Sequence, residues 1–167
     1  MNVKVRRMLA FLGVLAAGAL LLTGCGREEV ATKHFETEGI SFDYPATWSE
    51  LFDPFSIAYF GESGTDTAVK VFLRVLPSGL TLKVYHDDLV LGLMVGEPIS
   101  GRSLGVAGAV GYETVFNTRV DEREVRMRLV SFAVEDAVFD IYFTAAPASF
   151  NNAQRDFDII INTFEVN

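Results

Sequence analysis

Cysteine and histidine are scarce in this chain, and their scarcity excludes several kinds of site. The 167 residues include one cysteine and two histidines. A single cysteine cannot form an intrachain disulfide or a cysteine-cluster metal site, and His34 and His86 lack the paired spacing of a zinc motif. The lone Cys25 therefore needs another role.

Basic residues are also few. Lysine and arginine together number 14 against 22 aspartates and glutamates, which gives a net charge of −8. An acidic surface repels phosphate, so the charge argues against nucleic-acid binding and against docking of the protein surface on anionic lipid headgroups. Half of the residues are apolar, which is enough for one domain with a hydrophobic core.

The first 25 residues combine a basic start, an apolar run and the cysteine. Lys4, Arg6 and Arg7 precede the uncharged run 8–22, which has the length of a signal-peptide core and is short for a helix that crosses about 30 Å of hydrocarbon. The sequence Leu-Thr-Gly-Cys at 22–25 resembles the lipobox of bacterial lipoproteins. That resemblance implies cleavage before Cys25, a diacylglyceryl group on its thiol and often an N-acyl chain. The alternative is a transmembrane helix that ends in a chance cysteine.

These features divide the chain into a signal peptide at 1–24, a lipidated tether at 25–34 and a folded domain at 35–167. Loss of three positive charges with the signal peptide changes the net charge from −8 to −11. The tether spans at most about 30 Å, so the domain stays near the bilayer, and two or three acyl chains anchor it stably. We expect an extracytoplasmic protein anchored to the bacterial cell membrane. In Gram-negative species an aspartate directly after the cysteine typically retains a lipoprotein at the inner membrane. This chain has Gly26 at that position, which leaves outer-membrane sorting open.

Hydrophobic periodicity predicts an α+β fold. Alternating or apolar runs bounded by turn residues predict strands, and two segments with helical spacing predict helices, the first capped by Thr81 and the second by Ser149. Short turns predict a mainly antiparallel sheet sandwiched between the helices. The predicted strands are 39–45, 55–60, 69–76, 99–104, 106–118, 125–134 and 138–143, and the predicted helices are 81–94 and 149–164.

Four blocks of sequence resemble the PsbP-like family: GISFDYPATW at 39–48, TLKVY at 81–85, VAGAVGYE at 106–113 and FDIIINTF at 157–164. The resemblance covers 35–167 and implies an α/β/α sandwich. Its known members are non-enzymatic extrinsic subunits of photosystem II, bacterial lipoproteins of unclear role, and eukaryotic proteins that bind a small GTPase. The shared residues are scaffold residues, and we expect Trp48 to fill the edge of the core. No metal or partner contact of the family has a matching motif here.

Other candidate motifs favour structural roles. His86, Asp87 and Asp88 are conceivable ligands of a hard cation, but we expect a solvated helix face. The sequence GESGT at 61–65 lacks the second glycine of a nucleophile elbow, and the glycine spacing at 105–111 is not that of a dinucleotide-binding loop. The charged segment 121–128 could dock a partner, but we expect a solvated hairpin; an alternative role for its arginines is to discourage edge pairing.

No constellation of residues predicts catalysis, a cofactor or a bound metal. The sequence therefore favours a non-enzymatic interaction or assembly module, membrane-tethered through Cys25, that binds another envelope protein and no nucleic acid. The alternative is a carrier of a small hydrophobic ligand or metal ion in a cleft between sheet and helix.

Overall fold

The computed structural model describes residues 30–37 and 39–167. Cys25 and the predicted signal peptide lie outside the described residues. Within the described part of the chain, no helix is long and apolar enough to cross a membrane.

The described residues form ten strands and two helices. The strands are β1 (Thr32–Thr37), β2 (Ile40–Pro45), β3 (Ser49–Glu50), β4 (Ala58–Gly61), β5 (Ala68–Val75), β6 (Ser100–Val106), β7 (Ala109–Val120), β8 (Arg123–Val134), β9 (Ala137–Ala145) and β10 (Glu165–Val166). The helices are α1 (Leu82–Leu93), between β5 and β6, and α2 (Phe150–Thr163), between β9 and β10.

Seven strands form one antiparallel sheet in the order β3-β4-β5-β9-β8-β7-β6, and β1, β2 and β10 form a small second sheet. Two-residue turns join β6 to β7, β7 to β8 and β8 to β9, and residues with positive φ lie in each turn: Ala107, Gly108, Asp121, Glu122 and Glu135. Such turns match the twist of paired strands and fix their register. The predicted antiparallel sheet is therefore confirmed.

Helix α2 and the small sheet cover one face of the large sheet. Phe157 and Ile160 of α2 are fully buried in the main core, as their helical spacing predicts. Trp48 is 1% exposed and packs edge-on against Phe157, so its predicted place in the core is confirmed. The cap of α2 differs from expectation, because the Ser149 hydroxyl donates to the carbonyl oxygen of Ala146 and caps no helical amide.

Helix α1 covers the opposite face over β7 and β8, which completes the expected sandwich of a sheet between helices. Thr81 caps α1, because its hydroxyl oxygen accepts a hydrogen bond from the Val84 amide. Below α1, Val90 meets a second, smaller apolar core that includes Phe116 and Leu129. The large sheet therefore separates two cores of unequal size.

Several boundaries differ from the sequence prediction. Strand β1 begins at Thr32, within the predicted tether, and its pairing with β2 incorporates residues 32–34 into the fold. Strand β4 begins at Ala58, so Phe55 lies in a loop before it. The turn after β6 lies at Ala107 and Gly108, where both φ angles are positive, and not at the glycine before Val106.

Candidate interaction surface

An open groove lies on the face of the large sheet that carries α1. The helix covers β7 and β8 and leaves the neighbouring strands β4, β5 and β9 exposed beside it. The resulting cavity has a volume of about 330 Å³. We call it the aromatic groove, and its lining residues are Tyr59, Ala68, Lys70, Phe72, Val120, Asp121, Met127, Tyr142 and Thr144.

Strand register brings the aromatic residues of the groove together. Lys70 and Phe72 alternate with the core residues of β5, as the sequence predicts, and therefore point away from α2. Lys70 lies opposite Tyr142 of β9, and the Tyr142 ring meets the Phe72 ring edge-on at a centroid distance of 5.0 Å. The Lys70 ammonium also lies 4.4 Å from the centroid of the Tyr59 ring. The base of the groove therefore consists of the rings of Tyr59, Phe72 and Tyr142 and the aliphatic part of the Lys70 side chain, which hold one another in place.

The cations at the groove are paired. The Lys70 ammonium lies 2.6 Å from the Asp53 carboxylate, and this hydrogen bond holds the pKa of Asp53 below its usual value. Arg74 lies 3.2 Å from the Asp140 carboxylate and stacks over the Phe72 ring. Because each cation has a carboxylate partner, neither offers a free positive charge to a ligand, and most of the other lining residues are apolar or aromatic.

A buried polar network connects α1 to the sheet next to the groove. The Asp140 carboxylate accepts hydrogen bonds from the Tyr85 hydroxyl at 2.6 Å and the Ser131 hydroxyl at 2.7 Å. The Ser131 oxygen lies 2.9 Å from Nδ1 of His86, and the Thr114 hydroxyl lies 2.9 Å from Nε2. Because the Ser131 hydroxyl donates to Asp140, the His86 Nδ1–H donates to Ser131. In a neutral imidazole this tautomer leaves Nε2 to accept a hydrogen bond from the Thr114 hydroxyl.

The ionisation of these groups agrees with a structural role. Burial lowers the pKa of His86 to about 4 and raises the pKa of Tyr142 to about 12. Burial also raises the pKa of Asp140, although the hydrogen bonds from Tyr85 and Ser131 oppose this shift. In a catalytic triad the imidazole stands between the serine and the acid, whereas here buried Ser131 stands between His86 and Asp140. The network therefore positions α1 and does not activate a nucleophile.

The sequence-based expectation for 86–88 is wrong for one of its three residues. Asp87 and Asp88 are exposed, and Asp87 pairs with Lys83, but the side chain of His86 is buried. In the described part of the chain, no group of three or more histidine, cysteine, aspartate or glutamate residues could hold a metal ion.

The expectation of a solvated arginine hairpin is also wrong for Arg128. Its strand, β8, lies inside the sheet, and the Arg128 side chain is only 3% exposed. Arg128 Nε donates to Glu113 at 2.7 Å, and Nη1 donates to Asp158 of α2 at 2.7 Å. Glu113 of β7 also binds Arg102 of β6, so this ion-pair cluster, which is buried at Arg128 and Glu113, connects three strands to α2.

The glycine-rich segments have the structural roles that we expected. Gly61 ends β4 and residues 62–65 belong to the connection after it, and residues 105–111 form the end of β6, a tight turn and the start of β7. Gly111 lies against β8, where an added Cβ would be 3.0 Å from the Ser131 carbonyl oxygen. Close backbone packing therefore explains this glycine.

The aromatic groove is not predictable from the sequence alone. The alternation of β5 and β9 does place Phe72 and Tyr142 on the face away from α2. Whether that face is covered depends on how far α1 extends across the sheet, which local periodicity does not determine. The residues before Tyr59, from Phe55 to Ile57, form a loop where the sequence predicts a strand. The contact between Tyr59 and Lys70 is therefore not predictable from the sequence either.

Comparison with known proteins identifies the fold. No family model matches the sequence, and no curated protein matches it. The structure is similar to that of cyanobacterial PsbP (CyanoP) from Synechocystis sp. PCC 6803, with a TM-score of 0.59 and 16% identity over 85% of this chain and 96% of that one. It is also similar to LpqN, which is involved in cell envelope biogenesis of Mycobacterium tuberculosis, with a TM-score of 0.59 and 11% identity over 83% and 91% of the two chains.

A third similar structure is that of a single-site variant of the protein Mog1, with a TM-score of 0.57 and 12% identity over 81% of this chain and 96% of that one. At these levels of identity the comparisons establish architecture. The α+β sandwich expected from the resemblance is confirmed, and the described domain has the fold of cyanobacterial PsbP.

Proposed function

We propose that this protein is a non-enzymatic extracytoplasmic module, anchored to the bacterial cell membrane through lipid on Cys25, and that its aromatic groove binds another envelope protein. The observation that carries the proposal is the groove itself. It presents Tyr59, Phe72 and Tyr142 on a fixed sheet surface, with both neighbouring cations already paired.

The anchor has its support in the sequence. The basic start, the 8–22 apolar run and the Leu-Thr-Gly-Cys motif at 22–25 are arranged as in lipoprotein precursors. Cys25 lies six residues before Ala31, whose carbonyl oxygen accepts a hydrogen bond from the Ala46 amide. Six residues span at most about 20 Å, so an anchored domain works close to the bilayer and meets partners in or on the same membrane.

The chemistry of the groove suits a protein partner. Aromatic residues dominate interface energetics, because a large ring buries much apolar area with few rotatable bonds. The groove is open, and a volume of about 330 Å³ accepts one or two inserted side chains. An apolar or aromatic side chain of the partner would pack between Phe72 and Met127.

The volume of the groove also supports the second candidate, a carrier of a small hydrophobic ligand. About 330 Å³ lies at the lower end of the range for small-molecule sites, which usually bury most of the ligand. An open surface groove leaves part of a small ligand exposed, so this groove suits an inserted side chain better than a free ligand. The groove offers a hydrophobic molecule apolar walls and a polar rim formed by Asp121 and Thr144.

Photo-crosslinking in the native membrane tests the proposal. The full-length chain would carry a photo-reactive phenylalanine analogue at Tyr142 in one variant and at Leu91, a 64% exposed residue of α1, in the matched control. We expect one specific protein adduct from position 142 and none from position 91. Absence of an adduct at both positions would refute the binding role of the groove, and an adduct with a small lipophilic molecule would favour the carrier.

The anchor requires its own measurement. Mass spectrometry of the native N-terminal peptide should find an acylated Cys25. A mature chain that begins elsewhere and remains in the soluble fraction would contradict the anchoring, whatever the crosslinking experiment finds.

A further inference from the structure

Two phenylalanines are fully presented to solvent on one loop. Residues 51–57, which we call the Phe loop, connect β3 to β4. In this loop Phe52 is 88% exposed and Phe55 is 85% exposed. Leu51 and Ile57 at the ends of the loop are also exposed. Scattered apolar residues are common on surfaces, but two such rings at one tip form a patch that a soluble surface ordinarily avoids.

The fold holds this exposed conformation in place. The Asp53 carboxylate accepts a hydrogen bond from the Phe55 amide at 3.0 Å, and the Asp53 carbonyl accepts one from the Ser56 amide at 3.2 Å. The other Asp53 oxygen binds Lys70 of β5, and Pro54 fixes its own φ between the two rings. The rings are therefore held outward on a tied turn. The ion pair also neutralises the acid nearest to them.

The Phe loop lies a short stretch of chain from the point where the described residues begin. The Ala46 amide donates to Ala31 at 2.8 Å, which places the start of the described chain beside the residue that leads into β3. Phe52 follows Ala46 by six residues, a span of at most about 20 Å. The segment from Cys25 to Ala31 has the same limit, so the loop and the anchor can reach the same bilayer surface.

From this arrangement we propose that the Phe loop inserts Phe52 and Phe55 into the interfacial region of the bilayer to which Cys25 anchors the chain. The inference rests on the proposed anchor. The partner is the uncharged, zwitterionic lipid interface, because the predicted net charge of −11 after signal-peptide removal opposes anionic headgroups, whereas aromatic rings enter the interface without a charge requirement.

A weak contact is sufficient once the chain is tethered. The lipid anchor makes the second contact intramolecular, so its effective concentration is high without high affinity. Two points of attachment also orient the domain, which one flexible tether does not. Because Lys70 contacts both Asp53 of the loop and Tyr59 of the groove, insertion would hold the aromatic groove near the membrane surface.

Fluorescence quenching by brominated lipid tests the insertion. The lipidated mature chain, which begins at Cys25, is reconstituted into phosphatidylcholine vesicles with or without bromine on the acyl chains, as the variants Phe55→Trp and Val110→Trp. Val110 is 67% exposed on β7, near the opposite edge of the sheet, and serves as the matched control. The native Trp48 is buried, and the unsubstituted chain supplies its background signal. We expect bromine to reduce the new signal of Phe55→Trp about twofold and to leave that of Val110→Trp unchanged, because interfacial residues lie at the acyl boundary.

The outcomes separate the loop from the anchor. Phe52→Trp serves as a second probe of the loop. If the chain is acylated and bound to vesicles but bromine quenches neither Phe55→Trp nor Phe52→Trp, the insertion is overturned and the anchor is unaffected. Shielding of the loop in native membranes but not in protein-free vesicles would assign it to a protein partner and would also overturn the proposal. A chain without acylation that does not bind vesicles would refute the anchor and with it the inference. Unchanged thermal unfolding of the variants would verify that the substitutions leave the fold intact.

Discussion

The ion-pair cluster around Arg128 allows a quantitative prediction about stability. Arg128 binds two carboxylates that differ in exposure, since the Glu113 side chain is 7% exposed and that of Asp158 is 53% exposed. The substitutions Glu113→Gln and Asp158→Asn each remove one negative charge and keep the shape of the side chain. They therefore compare a buried and an exposed partner of the same guanidinium.

The two costs should differ severalfold. Loss of one partner of a buried pair leaves a desolvated charge without compensation and typically destabilises by about 3 kcal/mol or more. Glu113→Gln also weakens the bonds of Arg102, which adds to the loss. An exposed ion pair contributes at most about 1 kcal/mol, because water and salt already screen it. We expect a decrease of about 3 kcal/mol in the free energy of unfolding for Glu113→Gln and of less than about 1 kcal/mol for Asp158→Asn.

Equilibrium urea unfolding at neutral pH measures both values. The double variant Glu113→Gln/Arg128→Met removes the guanidinium that has lost its buried partner and should recover part of the lost stability, because a buried site tolerates an apolar side chain better than an incompletely paired charge. Equal losses for the two single variants, or a double variant that is less stable than Glu113→Gln, would refute the argument from burial.

Three further predictions concern stability. His86 is neutral in the folded protein, with a pKa of about 4 against 6.5 when unfolded, so stability falls as pH drops below 6.5. From pH 7 to pH 5 the free energy of unfolding should decrease by about 2 kcal/mol more in the unsubstituted protein than in His86→Gln. Parallel pH profiles for the two proteins would contradict this prediction. Gly111→Ala should cost about 1–3 kcal/mol, because its Cβ meets a β8 carbonyl oxygen at 3.0 Å, whereas Gly101→Ala, with its nearest contact at 3.6 Å, should change urea stability little. Thr81→Ala should lower the melting temperature through a loss of about 1 kcal/mol, and Ser149→Ala should cost clearly less, because only Thr81 caps a helical amide.

Local sequence patterns predicted the elements that depend on near neighbours. The helical spacing of Phe150, Phe157 and Ile160 predicted α2 and its buried face, and all three residues are buried there. The tight turn at 135–137 predicted the β8–β9 hairpin, and the structure forms this hairpin with a turn of two residues, Glu135 and Asp136. Periodicity and turn chemistry act within a few residues of the chain, which is why a single sequence is sufficient for them.

Contacts between distant residues were not predictable in the same way. His86 looked polar and exposed beside Asp87, but its hydrogen-bond partners Ser131 and Thr114 lie 45 and 28 residues away. Arg128 likewise finds Asp158 only after β8, β9 and α2 are packed. A buried polar residue is recognisable only when its partner is known, and the partner follows from strand register and helix placement.

The unequal size of the two cores has a consequence for hydrogen exchange. Helix α1 rests on a few apolar residues and the network of Tyr85 and His86, whereas α2 closes the main core. The amides of α1 should therefore exchange through a local opening that costs less free energy than global unfolding, while those of β8 report the global value. Protonation of His86 below pH 6 would favour that opening and speed exchange in α1 first. The domain is thus expected to contain two cooperative units on one sheet.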